Sequence, residues 1–175
     1  LLLDMDVGIW ETEFSRDGEW LVVRADDQAS FGDIYTRRLR GDTTLAMIYS
    51  DSSFNTQIAL SPDSRWLAFT SDHSGRAEIY VASFPDMQVK YPVSQGGGTE
   101  PRWARNGREL FFKSRGKLMA LPVAAGAGFA PGAPPARRRV GGPGRALHGH
   151  RGQPRPRGGA HRPPARRARP DLDAR

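Results

Sequence analysis

The sequence has no cysteine and few histidines, and these absences exclude several kinds of site. Without cysteine the chain can form neither disulfides nor thiolate metal sites. Only one of the four histidines, His73, precedes residue 129, which leaves little material for a Ser-His-Asp arrangement. No run approaches the roughly 18 apolar residues of a membrane span. The first residues, LLLDMDVGIWE, lack the basic start of a signal peptide and are typical of the middle of a strand.

Charge is divided between two regions of different composition. The formal net charge is +7 for the whole chain. Residues 129–175 contain 12 arginines, no lysine and two acids, a net charge of +10, whereas residues 1–128 have a net charge of −3. The positive net charge of the whole chain therefore does not predict that the folded region binds anions, because the whole excess of basic residues lies in the tail.

A pattern recurs at nearly constant intervals in the first 123 residues. FSRDGEWLVVRADD (14–27) matches LSPDSRWLAFTSDH (60–73) 46 residues later, and WARNGRELFFKSRG (103–116) follows after a further 43. A second strand-like run follows each copy, namely GDIYTRRL, AEIYVASF and GKLMALPV. Fixed periods of about 40–50 residues are typical of propellers, solenoids or arrays.

Within one period the pattern predicts β-structure. Short runs of strand formers alternate with turn residues at 61–64, 73–76 and 95–98, and no window sustains the helical i, i+3, i+4, i+7 spacing. Four short strands per period predict a propeller blade. The runs WLVV and WLAF are apolar on both faces, which favours sheets stacked on both sides. Asp17-Gly18 and Asn106-Gly107 predict type I′ hairpin turns.

The quoted residues resemble the WD40-like propeller repeats of the TolB type. The chain keeps the family pattern at Ser61, Pro62, Asp63, Leu67, Ala68, Phe69, Ile79 and Tyr80. It departs from the pattern at Ser64, where Gly is usual, and at Arg16, which replaces the Pro. The FPD turn followed by GGGTEPRW is most similar to propellers at the C-terminal end of bacterial Ser/Thr receptor-type kinases. Related repeats occur in the gating propellers of prolyl-oligopeptidase-like enzymes.

The resemblance implies an all-β, partial β-propeller that binds a protein, peptide or small ligand at a blade end or in the central channel. In a receptor kinase this would be a periplasmic or extracytoplasmic sensor, and the alternative is a propeller that filters substrates for a peptidase. The resemblance covers residues 10–123, which hold two to three four-stranded blades. Rings close with about 4–8 blades, so we expect this chain to be part of a longer protein or a truncated reading frame. We predict propeller blades in residues 1–124 and a separate tail in residues 125–175.

Several residues suggest chemistry, but a structural role explains each of them. Asp17, Asp63 and Asn106 occupy equivalent turn positions, where side chains of these types accept backbone N–H bonds. Trp20 and Trp66 are predicted to pack between blades, with ligand stacking as the alternative. Asp72-His73 is predicted to be a solvated turn, with a metal or acid–base role as the alternative.

Catalytic and phosphate-binding motifs are absent from the sequence. It contains no Gly-x-Ser-x-Gly elbow, no His-Arg-Asp and no Asp-Phe-Gly, and the run 114–117 (SRGK) lacks the flanking residues of a phosphate loop. The run 96–100 (GGGTE) could cradle an anion through backbone N–H groups, although an inter-blade connector needs no such role. We therefore predict no catalytic, cofactor-binding or metal-binding residue, and a chain that is not itself an enzyme.

The tail has too few apolar residues to form a core and is predicted to be disordered. Arg, Pro, Gly and Ala make up 37 of residues 129–175. One interpretation is a shifted reading frame, because GC-rich codons supply these residues out of frame. The other is a nucleic-acid-binding arm with salt-sensitive phosphate contacts, although it lacks interleaved aromatics. His148 and His150 have no further ligands nearby in sequence and predict no metal site.

Overall fold

A computed structural model describes residues 1–26, 31–124 and 129. The regular secondary structure in this part of the chain consists of β-strands, without helices. The strands are β1 (Gly8–Phe14), β2 (Trp20–Asp26), β3 (Asp33–Arg38), β4 (Ala46–Tyr49), β5 (Asn55–Leu60), β6 (Trp66–Ser71), β7 (Glu78–Ser83), β8 (Lys90–Pro92), β9 (Thr99–Trp103), β10 (Glu109–Ser114) and β11 (Lys117–Pro122). They form three antiparallel sheets in the orders β1-β2-β3-β4, β5-β6-β7-β8 and β11-β10-β9. The all-β partial propeller predicted from the repeat is confirmed.

The second strand of each repeat is the most deeply buried. Val22 and Val23 on β2 are completely inaccessible to solvent, although neighbours in sequence point to opposite faces. The same holds on β6 for Leu67 and Phe69 on one face and for Ala68 on the other. Both faces of these strands are therefore covered. Each of these Val, Leu and Phe side chains contributes roughly 1.5–3 kcal/mol by leaving water. Because both faces are buried between neighbouring layers, these strands do not alternate between apolar and polar residues.

Two aromatic clusters join the sheets. Trp20 packs edge-on against Phe84, with ring centroids 5.3 Å apart, in the core between the first two sheets. Trp66 lies 6.3 Å from Tyr91 and 5.5 Å from Phe129, in the core shared by the second and third sheets. The packing role predicted for Trp20 and Trp66 is thus observed. A third cluster forms where the first residues of the chain cover the outer side of β2.

The turn type predicted for Asp17-Gly18 and Asn106-Gly107 is wrong. Gly18 and Gly107 have φ of +69°, but neither Asp17 nor Asn106 adopts positive φ. The reason is loop length, because five residues separate β1 from β2 and each loop closes with a bond from the glycine N–H to the carbonyl three residues earlier. The two-residue turn with positive φ at both positions is instead 115–116, with φ of +48° and +71°, between β10 and β11.

Within the predicted tail the structure describes Phe129 together with its core contacts, where it is buried, so the prediction of a disordered tail does not hold for this residue. The predictions for the rest of the tail, including the absence of a metal site at His148 and His150, lie outside the described residues.

Candidate functional site

The first strands of the three sheets, β1, β5 and β9, lie side by side. The loops that follow them, 15–19, 61–65 and 104–108, meet at one end of the molecule, which we call the turn end. Arg16 donates from Nη1 to the carbonyl of Arg105 over 2.9 Å and so joins the first loop to the third. Because the loops are equivalent parts of a repeat, the turn end presents the same backbone turn three times.

The turn residues predicted from the sequence build these loops. Asp17, Asp63 and Asn106 each accept the backbone N–H two residues later, over 2.9, 3.3 and 3.0 Å. Ser15 donates its hydroxyl to Asp17, which lowers the pKa of that carboxyl. The third loop has Ala104 at the serine position and lacks this bond. These polar side chains are therefore occupied with the backbone, in agreement with the turn interpretation.

Two cavities open at the turn end. The larger, about 460 Å³, lies between the second and third loops, and its walls include Trp66, Trp103 and the arginines Arg105 and Arg108. Trp103 donates from its indole Nε1 to the Ala59 carbonyl over 3.0 Å, so this wall is held in place. Guanidinium groups beside indole rings can bind carboxylates and stack on planar groups.

The smaller cavity, about 200 Å³, lies among the ends of β1, β5 and β9 and contains a half-buried carboxyl group. Burial raises the pKa of Glu13, and this effect outweighs the opposing influence of the Arg102 guanidinium and of the Leu60 backbone. Arg16 and Arg105 also line the cavity. Sequence reasoning missed Glu13 and Arg102, because they come from strands 89 positions apart and share no motif.

His73 belongs to a polar cluster between the first two sheets. Its Nδ1 is 3.3 Å from Ser53 Oγ and 3.6 Å from Asp51 Oδ2, and its side chain is 57 % exposed. A catalytic triad needs the serine on one ring nitrogen and the acid on the other. Here both approach Nδ1, so the three residues cannot relay a proton. Asp72 accepts the Phe54 N–H over 2.7 Å, which ties this turn to the inter-sheet connector.

Asp51 is the hub of the same cluster. Tyr49 donates its hydroxyl to Asp51 over 2.6 Å, and Lys90 donates to Tyr49 over 2.5 Å. Burial alone would raise the pKa of Asp51, but hydrogen bonds led by Tyr49 and Asn55 outweigh it and lower the pKa. Burial, followed by the bond to Asp51, raises the pKa of Tyr49. The cluster joins β4 to β8 and to the connector between the sheets.

The glycine run at 96–98 does form an anion cradle, but an internal carboxylate occupies it. Gly96 and Gly97 donate their N–H groups to Oε1 of Glu78 over 2.8 and 2.9 Å. Arg76 donates to the same oxygen and Ser94 to the other. The cradle therefore fastens the connector to β7, in agreement with the interpretation of this run as an inter-blade connector.

A second set of residues that sequence reasoning did not identify links β1 to β5 and β5 to β9. Glu11 accepts the Gln57 N–H over 2.7 Å, and Gln57 in turn accepts the Glu100 N–H over 2.8 Å. These positions are 46 and 43 residues apart, the spacing of the repeat. Register shifts occur at each of them, and Gln57 and Glu100 have φ of +58° and +55°. We call Glu11, Gln57 and Glu100 the inner-strand ladder. An alignment of the repeat copies extended to the strands before their turns would have revealed it.

Within the described part of the chain, no group of three or more His, Asp or Glu side chains could hold a metal ion. The same residues contain no helix of the length and hydropathy that crossing a membrane requires.

Comparison with known proteins identifies the fold. No family model matches the chain. A curated relative, a TolB homologue of Chlorobium luteolum, is 29 % identical over 86 residues, which are 49 % of this chain and 20 % of the relative. The chain thus spans about a fifth of that relative.

Solved structures show the same architecture at low sequence identity. TolB from Acinetobacter baumannii has a TM-score of 0.53 at 20 % identity, covering 63 % of this chain and 28 % of TolB. Puromycin hydrolase has a TM-score of 0.55 at 15 % identity, covering 70 % of this chain and 21 % of the hydrolase. A prolyl endopeptidase structure has a TM-score of 0.51 at 12 % identity, covering 73 % and 22 %. The chain has a TolB-like β-propeller fold, shared with the propellers of TolB and of prolyl-oligopeptidase-type enzymes.

Proposed function

We propose that the chain is a non-catalytic binding module that recognises a protein or peptide at the turn end. The observation that carries this proposal is the meeting of three repeat loops around two cavities, with Arg102, Arg105 and Arg108 at their walls. Cavities of this kind, with fixed indole rings and a few polar groups, are suited to binding side chains of a partner.

The test is a peptide array probed with the full-length chain. We expect a defined subset of peptides to bind, and the double variant Arg102→Ala/Arg105→Ala to lose about tenfold or more in affinity for that subset, because guanidinium contacts to partner oxygens are charge-assisted. The matched control is Arg40→Ala, which removes an exposed arginine from the loop between β3 and β4. Equal affinity in all three proteins would refute the role of the turn end.

Two finer roles are proposals about the parent protein. A sensor part of a receptor-type Ser/Thr kinase is supported by the FPD and GGGTEPRW segments, which resemble propellers of those kinases. A substrate-gating propeller of a hydrolase is supported by the structural likeness to puromycin hydrolase and prolyl endopeptidase. Translation of the coding DNA on both sides decides between them: an upstream kinase domain selects the first, and a downstream hydrolase domain selects the second.

A further inference from the structure

A third cavity, which we call the opposite cleft, lies at the end opposite the turn end, between the β5–β8 sheet and the β9–β11 sheet. Its volume is about 770 Å³, within the range of ligand sites. Its walls come from residues 76–77 just before β7, from residues 97–99 at the end of the connector and the start of β9, and from the β10–β11 hairpin. None of these segments contributes to the two turn-end cavities, so the cleft is a separate surface.

Positive charge surrounds this cleft. Arg76, Lys113, Arg115 and Lys117 all line it, and none of its lining residues is acidic. The two carboxylates nearby are already engaged. Glu78, whose side chain is 5 % exposed, bonds Arg76, and Glu100 pairs with Lys113 over 2.7 Å. Arg115 and Lys117 have no carboxylate partner among the described residues, which leaves two positive charges without compensation.

Arg115 is joined to the connector at the cleft by one hydrogen bond and by close contact with Gly96. Its Nε donates to the Gly96 carbonyl over 2.8 Å. A Cβ atom added at Gly96 would lie 2.3 Å from Arg115 Nη2, so the glycine allows the guanidinium to approach the connector closely. The Nη groups donate to no described residue. A donor that is ordered before binding loses little entropy when it contacts a ligand.

Lys117 is a cation where the other repeat copies have an acid. The aligned segments read Gly-Asp-Ile, Ala-Glu-Ile and Gly-Lys-Leu, so that Lys117 corresponds to Asp33 and Glu78. In the second sheet this acid fastens the following connector to the blade. The exchange of acid for lysine reverses the charge at this position of the third sheet and gives the cleft its open cationic side.

The shape and chemistry of the cleft favour a peptide over a small phosphate-like anion. A compact anion is best held by converging backbone N–H groups, but Glu78 already fills the cradle of Gly96 and Gly97. The remaining cations are spread along the walls, beside Ala77 and the 75 % exposed Leu118. We propose that this cleft binds an acidic peptide segment of a partner, with carboxylates on Arg115 and Lys117 and an apolar side chain against Leu118. This site is additional to the turn end and does not depend on it.

The test uses the full-length chain and a synthetic peptide, Glu-Leu-Glu-Glu-Ala-Glu, which carries a photoreactive group, with a Gln-for-Glu peptide as the uncharged control. We expect Lys117→Glu, which restores the acid of the other copies, to weaken binding at least tenfold. The affinity of Lys117→Arg for the peptide should stay within twofold of that of the unmodified chain. The affinity of Arg40→Glu should do so too, although this variant makes the same charge change as Lys117→Glu, because Arg40 lies far from the cleft. Cross-links should map to 76–77, 97–99 or 113–118.

Three outcomes would overturn the proposal. Equal losses in Lys117→Glu and Arg40→Glu would show unspecific charge attraction, and cross-links confined to the Arg-rich residues 137–175 or to the turn end would place the peptide elsewhere. Equal binding of the Gln peptide would remove the charge argument. Near-ultraviolet circular dichroism checks the fold of each variant. Arg115→Asn, which keeps a residue that tolerates positive φ, is the second variant and should also weaken binding.

Discussion

Ser64 is in a backbone conformation that the other two repeat copies assign to glycine. Its φ is +56°, and the equivalent Gly18 and Gly107 have φ of +69°. A side chain at positive φ costs roughly 1–2 kcal/mol relative to the right-handed region, whereas glycine has no such cost. The serine at this position, where the other two copies have glycine, is therefore a local source of instability in the second loop.

The exchange Ser64→Gly should stabilise the protein by about 0.5–1 kcal/mol, since removal of the φ penalty outweighs the greater freedom of glycine in the unfolded chain. The matched change is Gly18→Ser, which should destabilise by a similar amount without a clash, because nothing lies within 4 Å of a Cβ at that position. Urea unfolding gives both values. A loss of stability in Ser64→Gly would contradict the assignment of strain.

Asp51 should make the protein sensitive to acid. Its pKa is lowered in the folded state, so the unfolded chain takes up a proton at a higher pH than the folded chain does. The stabilisation is therefore complete above the pKa of the unfolded chain, about 4, and is lost as pH falls through the folded value. We expect Asp51→Asn to be less stable than the parent at pH 7 and to lose less stability below pH 4. Unfolding curves at several pH values measure this, with exposed Asp4→Asn as the control.

At the scale of strands, the inner-strand ladder joins each sheet to the next by a side chain placed at a bulge. Glu11 accepts three bonds from β5, from the Thr56 hydroxyl and from the backbone N–H groups of Gln57 and Ile58, over 2.6–2.9 Å. Gln57 repeats the contact one sheet further on. Such bonds have directional geometry that apolar packing lacks, so the ladder sets how far one sheet is displaced along its neighbour.

Glu11→Ala should lower the free energy of unfolding by about 2–4 kcal/mol, because it leaves two backbone donors of β5 without their acceptor. Glu11→Gln should cost about 1–2 kcal/mol, since its amide can accept at one oxygen position but presents N–H groups at the other. The control Glu19→Gln changes an exposed acid of the turn end and should stay within 0.5 kcal/mol. Chemical denaturation measures all three. Equal effects of Glu11→Gln and Glu19→Gln would show that the ladder contributes nothing to stability.

At the scale of the whole molecule, charge separates residues 1–128 from the tail. The tail's 12 arginines are its only strong cations, so as a nucleic-acid arm it would bind phosphates without sequence preference. Affinity for duplex DNA would then fall about 10³-fold or more between 50 and 200 mM salt, as expected for at least six phosphate contacts.

Removal of residues 130–175 tests this arm and leaves the core residue Phe129 in place. The full chain should bind a DNA duplex at low salt, and the shortened chain, with a net charge of −3, should not. Fluorescence anisotropy across a salt series measures both. Equal retention of DNA by the shortened chain would exclude the tail as the binding element and leave the shifted-frame hypothesis for its composition.

The sequence by itself determined the repeat, the strands and the aromatic anchors, because these depend on local patterns. Turn residues, strands that are apolar on both faces, and the tryptophan that Trp20 and Trp66 represent in their repeat copies can each be recognised within a single period of the sequence. Loop geometry was less predictable, since the Asp17-Gly18 pair occurs in more than one turn type and only the strand register, with five residues between β1 and β2, distinguishes them.

Only the tertiary structure decided which side chains share a site. Glu13 and Arg102 meet because β1 and β9 both flank β5, and no local pattern records that neighbourhood. The glycine cradle could be recognised from its sequence, but its occupant, Glu78, comes from a strand 18 residues away. Charge balance in the opposite cleft depends in the same way on which carboxylates already have partners. Chemistry at a site depends on distances between strands, which the packing of the sheets sets and the order of residues alone does not.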